Sequence, residues 1–161
     1  MNIYIAAAWS RREEMKKLTK ELERDIPDLI VNARWIKIEP PEKTFWQRTP
    51  RENTRLAMED QEDAVTSDVL IRFSDDLSAK MVSARLATGS RMVEMGMAIM
   101  AGVPVIVVGG KQNLFDCLPQ VQHVKNVVSL KRVLRRIQKV DGGAIRHISH
   151  RWLVKLSTQA E

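Results

Sequence analysis

The sequence predicts an α/β protein on a doubly wound, all-parallel sheet, and three observations carry that reading. Five short apolar runs without helical period recur along the chain, at 2–8, 29–38, 68–73, 104–108 and 121–128. Stretches with helical spacing separate them, as crossovers between parallel strands require. The total of 161 residues is enough for one domain with a full core and too short for two comfortable ones. Right-handed crossovers then place helices on both faces of the sheet. Five strands at this spacing favour the flavodoxin-like order 2-1-3-4-5, with a C-terminal helical extension. The domain is expected over 1–140 and a basic helical extension over 141–161.

Taken in order, the first run ends in three alanines, Ala6, Ala7 and Ala8, which suits a central strand whose C-terminal end lies close to something. Trp9 and Ser10 follow. Residues 11–24 are amphipathic, with Met15, Leu18 and Leu22 on one stripe; Ser10 is the expected N-cap and Glu13 completes a capping box. Residues 29–38 alternate weakly and read as the second strand. A Pro-rich loop with Phe45 and Trp46 spans 39–50 and is long enough for a rim or lid. A helix over 51–66 carries sparse apolar points (Leu56, Ala57, Ala64, Val65) beside the acids Glu59, Asp60, Glu62 and Asp63. The third strand is followed by a long loop, 74–88, with a helical turn expected around 79–86. The next helix opens on Thr88, Gly89 and Ser90, is apolar on nearly every face, and closes at Gly102 before the fourth strand. A fifth strand over 121–128, a helix over 130–140, a break at Asp141, Gly142 and Gly143 and a helical segment over 145–156 complete the chain.

Composition excludes several functions. No apolar run reaches the roughly 20 residues that a membrane helix needs, and the first residues lack the basic region of a signal peptide, so a cytoplasmic protein without membrane contact is expected. One cysteine, Cys117, leaves no internal disulfide and no cysteine-based metal cluster. The histidines His123, His147 and His150 have no spacing that marks a metal site, so neither metal nor cofactor is expected. The net charge of +6 is unevenly placed: residues 1–110 carry 16 Lys/Arg against 17 Asp/Glu, and residues 111–161 carry 10 against 3. Arg132, Arg135, Arg136 and Lys139, about one helical turn apart, can bind phosphates. A solvated helix face explains such a run as well, so nucleic acid is open as a partner without being the favoured one.

One charge interrupts the apolar helix after Gly89. Glu94 is expected in its first turn, where unpaired backbone N–H groups and the helix dipole would keep it ionised. Ligands of doubly wound sheets bind beyond the carboxyl ends of the strands at the switch point, between the first and third strands here. An ionised, poorly solvated carboxylate in that place is a competent nucleophile toward an electrophilic sugar carbon. Asp60 can orient or protonate a departing base, Trp9 can stack on one, and Thr88, Gly89 and Ser90 can hold a phosphate at the helix N-terminus. Arg91 either grips an anion or lays its stem along apolar surface. The bland alternatives are an exposed first-turn Glu94, a surface Asp60, a core Trp9 and a methionine stripe (Met92, Met95, Met97, Met100) that is core or a dimer seam.

Several segments together resemble the nucleoside 2-deoxyribosyltransferase superfamily, which includes nucleoside 5'-monophosphate N-glycosidases. They are the strand ending Ala-Ala-Trp-Ser (Ala7 to Ser10), Glu59-Asp60 eight residues before Asp68, the run from Gly89 to Ala98 around Glu94, Gly102, Pro104 to Gly109, and Asn113-Leu114-Phe115 with Leu118-Pro119. The resemblance covers residues 1–135. It implies Glu94 as nucleophile, Asp60 as assistant at base or sugar, and a base pocket of Ala7, Ala8 and Trp9. Ser10, Thr88, Gly89, Ser90, Arg91 and Asn113 join the expected substrate contacts. Where the transferases place an aspartate six residues before the nucleophile, this chain has Thr88, and the monophosphate hydrolases use a hydroxyl residue there toward phosphate. The resemblance thus implies hydrolysis of a nucleoside or nucleotide, with base exchange as the alternative and an oligomer whose subunits share active sites. A binding module for nucleotides or nucleic acid that keeps the fold without the chemistry is the reading from another class.

Overall fold

The computed structural model describes residues 1–37, 45–74 and 89–141. Its sheet has five parallel strands in the order β2-β1-β3-β4-β5: β1 Asn2–Ala6, β2 Ile30–Val31, β3 Val69–Phe73, β4 Val105–Val108 and β5 Val121–Val124. The helices are α1 Arg12–Asp25, α2 Arg34–Lys37, α3 Pro50–Thr66, α4 Gly89–Met100 and α5 Val127–Asp141. This is the flavodoxin-like arrangement expected from the strand spacing. The register sets Tyr4 beside Leu70 and Ala6 beside Arg72, and continues from Arg72 to Val107. Ile3, Tyr4, Ile5, Leu70, Ile71, Ile106 and Val107 are fully buried, as consecutive apolar positions must be when both faces of a parallel sheet are covered.

Two helical layers do the covering. Met15, Leu18 and Leu22 bury the stripe of α1, and Leu130, Val133, Leu134 and Ile137 bury that of α5; each such side chain contributes about 1.5–3 kcal/mol on leaving water. Lys131 of α5 ties the two helices together by pairing with Glu21 and Asp25 of α1. On the other side α3 packs against α4. α4 ends as the sequence suggests: Gly102 takes a positive φ of 75°, and Val103 N–H reaches back to the Ala98 carbonyl at 2.8 Å.

Three boundaries depart from expectation. Ser10 is not the N-cap of α1, because Trp9–Arg11 forms a 3₁₀ turn and Arg11 precedes the helix without a side-chain cap. The guanidinium of Arg11 instead clasps Glu14 with two bonds of 2.6 and 2.8 Å, so the first turn is stabilised by an i,i+3 ion pair in place of a capping box. The second strand stops at Val31, far short of residue 38. Its alternation is real, since Leu29, Val31 and Ala33 are all buried, but the chain is then drawn off the sheet. Asp63 accepts from the Arg34 backbone N–H and from its guanidinium, both at 2.9 Å, and the Trp35 indole N–H donates to the Ile5 carbonyl at 2.8 Å. At the open edge, the outward N–H of Val31 donates to the Glu23 carboxylate at 3.0 Å. The fifth strand likewise stops at Val124. Val127 and Val128, β-branched and read as strand, belong to α5, whose start is marked by the Asn126 side chain accepting from Ser129 N–H at 3.0 Å. By contrast α3 starts on a full capping box that the sequence reading passed over, Thr49 with Glu52, and on Pro50. The expected turn at 79–86 and the extension over 141–161, with its helix at 145–156, lie outside the described residues apart from Asp141.

Candidate functional site

The loops at the carboxyl ends of β1 and β3 meet at the switch point. After Ala6 the chain passes through half-buried Ala7 and buried Ala8 to Trp9, which is 49% exposed and tilts against Trp35 with ring centroids 6.1 Å apart. Arg11 lies over the Phe73 ring and donates to the Ser74 carbonyl at 3.1 Å, tying the two strand ends together. Ser74 in turn donates to the Gly110 carbonyl at 2.6 Å. Gly109 lies in the positive-φ region, and a Cβ on it would stand 3.1 Å from that of Ser74, so glycine is required there on two counts.

A cluster of ionisable groups draws on three elements. Glu94 from α4, Asp60 from α3 and Tyr4 from β1 interact electrostatically, with Asp63 as a more distant contributor. Glu94 is only 9% exposed. It is the sixth residue of α4, so it stands in the second turn and not the first. That position corrects the expected cause of its charge state, because the free N–H groups of a helix end act over the first turn only. Burial and the neighbouring Asp60 push the Glu94 carboxyl up to about 7, while the Tyr4 hydroxyl and the Arg91 guanidinium oppose the rise. Tyr4 is fully buried, and its hydroxyl lies beside Glu94 without reaching a well-formed hydrogen bond.

The acids of α3 sort themselves by partner. Glu59 pairs with Arg55 at 2.6 Å, and Glu62 and Asp63 share Arg34 at 2.5 and 2.8 Å. Asp60 alone of the four makes no ion pair with the described residues. Burial, then Asp63 and Glu59, push its carboxyl up to about 6. Asp60 raises Glu94, and with no ion pair to either carboxyl among the described residues the two hold one proton, mainly on Glu94, across pH 6 to 7.

This arrangement sets the pH dependence of stability. Both carboxyls hold their protons to higher pH in the folded chain than in the unfolded one, so the native state binds more protons between about pH 4 and 7 and stability falls as pH rises through that window. The opposite case is Asp25, held down to about 2 by Arg24 and Lys131, whose contribution is lost only as the pH drops below the ordinary carboxylate range. We predict that Tm falls between pH 5 and 8, and that Glu94→Gln flattens this slope. An unchanged slope in that variant would refute the assignment.

The other expected site residues fall into three groups. Gly89 and Ser90 are exposed at the start of α4, Ser10 is exposed in its 3₁₀ turn, and Trp9 is half-exposed at the rim, all open to a ligand. Arg91 does not reach solvent: it is 1% exposed, donates to the Phe73 carbonyl at 3.1 Å and acts on Glu94 through its charge. Asn113 uses its amide for structure, accepting from the N–H groups of Phe115 and Asp116 and donating to Asp116 and to the Met92 sulfur. Thr88 lies outside the described residues, as do His147 and His150.

Sequence reasoning missed Tyr4, which reads as one more apolar strand residue, and the ion pair between Arg72 and Asp116. Arg72 is the fourth of the five residues of β3, is fully buried, and meets Asp116 at 2.6 Å. Asp116 also accepts from Gln112 N–H at 2.7 Å, which fixes the loop carrying Asn113 beside α4. A groove also runs along the outer face of α3 past Arg51, Arg55, Met58, Glu62 and Val65; neither Glu94 nor Asp60 lines it. Among the described residues no helix is long and apolar enough to cross a membrane. No family model matches this chain, and no characterised protein matches its sequence.

Proposed function

We propose that this protein cleaves the N-glycosidic bond of a nucleoside or its 5'-monophosphate through a covalent glycosyl ester on Glu94, with water as the acceptor. The observation that carries the reading is the electrostatic coupling of buried Glu94 to half-buried Asp60, neither in an ion pair among the described residues, while Trp9 stands exposed after the strand that holds Tyr4. In this mechanism an oxygen of ionised Glu94 attacks the anomeric carbon as the bond to the base breaks. The bonding pair leaves with the base nitrogen, and protonated Asp60 supplies the proton that nitrogen takes up. Water then attacks the same carbon and gives its proton to Asp60, and the ester bond breaks to restore the Glu94 carboxylate. Between pH 6 and 7 the proton of the pair rests mainly on Glu94, so the reactive form, with Glu94 ionised and Asp60 protonated, is the minor arrangement of that proton. No cofactor enters the scheme.

The choice of water rests on the resemblance to the nucleoside 2-deoxyribosyltransferase superfamily and on Thr88 within it. That resemblance also implies an oligomer, with a neighbouring subunit completing each site. The outer faces of α3 and α4 offer apolar surface for a second copy at Met58, Val93 and Met100, which are 63, 59 and 87% exposed. Base exchange is the rival reading.

The test is to incubate the protein with each common ribo- and deoxyribonucleoside and its monophosphate, with and without a second free base, and to separate the products. Free base plus free sugar or sugar phosphate is the expected result, with a bell-shaped rate profile centred between pH 6 and 7. A new nucleoside in place of the free sugar would assign the transferase. No release of base from any substrate would remove both.

A further inference from the structure

The exposed face of α5 carries a second feature that the catalytic reading does not use. The helix buries Leu130, Val133, Leu134 and Ile137, and turns Arg132, Arg135, Arg136 and Lys139 outward, all exposed. Lys125, exposed just before the helix, extends the same charge. Among the described residues, neighbouring acids do not neutralise this ridge. Glu21 and Asp25, the carboxylates of α1 that face α5, are taken by Lys131 on the inner flank, and Asp25 also holds Arg24. Arg135 reaches the Asp25 carbonyl at 3.4 Å, whereas Arg132, Arg136 and Lys139 make no ion pair with the described residues. The one acid in α5 is its last residue, Asp141.

We propose that this ridge is a docking surface for double-stranded DNA, held through its phosphates. Arg132 to Lys139 spans about 10 Å of helix at 1.5 Å per residue. That distance matches about three phosphates of one DNA strand, spaced at roughly 3.4 Å along the axis. Three of the four cations are arginines, whose planar fork suits phosphate oxygens. The chemistry of the ridge selects among polyanions. It carries no aromatic residue on which unpaired bases could stack, which disfavours a single strand. A convex helix enters the wide major groove of B-form DNA and not the deep, narrow groove of A-form RNA. Among the described side chains of α5, Val128 is the one apolar residue exposed, too little for membrane insertion or for the apolar centre of a protein interface.

Fluorescence anisotropy of the full chain with a labelled duplex of about 20 base pairs and mixed sequence, titrated in NaCl, tests the proposal. Binding should weaken with salt at a slope of about −3 to −4, near 0.9 for each phosphate neutralised. Changing Arg132, Arg135, Arg136 and Lys139 together to Gln should weaken binding at least about tenfold in 50 mM NaCl and make the slope shallower by about 3. The pairs Arg132→Gln with Arg136→Gln, and Arg135→Gln with Lys139→Gln, should each give about half of that slope change, which keeps the test valid if the quadruple variant does not fold. Control changes Lys17→Gln and Lys20→Gln on α1 should leave binding within about twofold of the parent protein. Glu94→Gln should bind DNA unchanged, so this proposal and the catalytic one fail separately. No binding of the duplex at low salt, equal loss in the α1 control, or equal binding to polyglutamate, poly(U) or phosphatidylserine vesicles would overturn the assignment.

Discussion

Glu94→Gln is expected to lose at least about 10³-fold in the rate of base release, because the amide keeps the shape of the side chain and cannot form the ester. The same variant should be more stable than the parent above pH 7. Raising a carboxyl from 4.5 to about 7 on folding means that its ionised form weakens the native state by up to about 3 kcal/mol, and the neutral amide escapes that cost. Below about pH 4, where the carboxyl is protonated in both the folded and the unfolded parent, the two proteins should melt alike. Loss of activity coupled to a pH-dependent gain in stability is the signature of a side chain kept for chemistry at the expense of folding. Steady-state assays and thermal melts at pH 4 and 8 measure both effects. Near-normal turnover in Glu94→Gln would end the covalent mechanism, and a variant less stable than the parent at pH 8 would show that Glu94 is held by contacts other than those described.

Asp116→Ala should be the most damaging single change to the fold. It removes the carboxylate that meets Arg72 at 2.6 Å in the centre of the sheet, where Arg72 is fully buried. Removing one member of a buried pair costs about 3–5 kcal/mol, since the remaining charge stays in a poor solvent. For a chain of this size that corresponds to a fall in Tm of about 10–15 °C. The double change Arg72→Met with Asp116→Leu should recover most of the loss, because apolar replacement of both partners is close to neutral. Urea melts of the two single variants and the double separate the pair from its surroundings. A loss below about 1 kcal/mol in Asp116→Ala would mean that water or other groups solvate Arg72.

What the sequence made legible followed from how local each signal is. The five strands and their order came from short apolar runs, and burial of both sheet faces writes those runs directly into the chain. Glu94 and Asp60 stood out because a lone charge in an apolar helix and an acidic cluster are visible one segment at a time. That Asp60 is the member of the cluster without a cation was not visible, because its neighbours are neutralised by Arg34 and Arg55, and Arg34 comes from a different element. Tyr4 and the pair of Arg72 with Asp116 were hidden for the same reason: each acquires meaning only from a partner distant in sequence. The strand ends were misjudged where a side chain captures the backbone, as Asp63 does at Arg34 and Asn126 does at Ser129. Arg91 and Asn113, both expected at the substrate, turned out to have their polar groups committed to the frame.

The brevity of β2 has a consequence for how the molecule meets other chains. A sheet margin invites a visiting strand only where it offers a row of free amides and carbonyls. Here the margin is two residues long, and the Glu23 carboxylate already occupies the Val31 N–H that a visitor would need. Growth of the sheet from this side into a continuous ribbon, the usual start of fibre formation, is therefore blocked by an acid borrowed from α1. Glu23 thus closes the one outward amide of this two-residue margin.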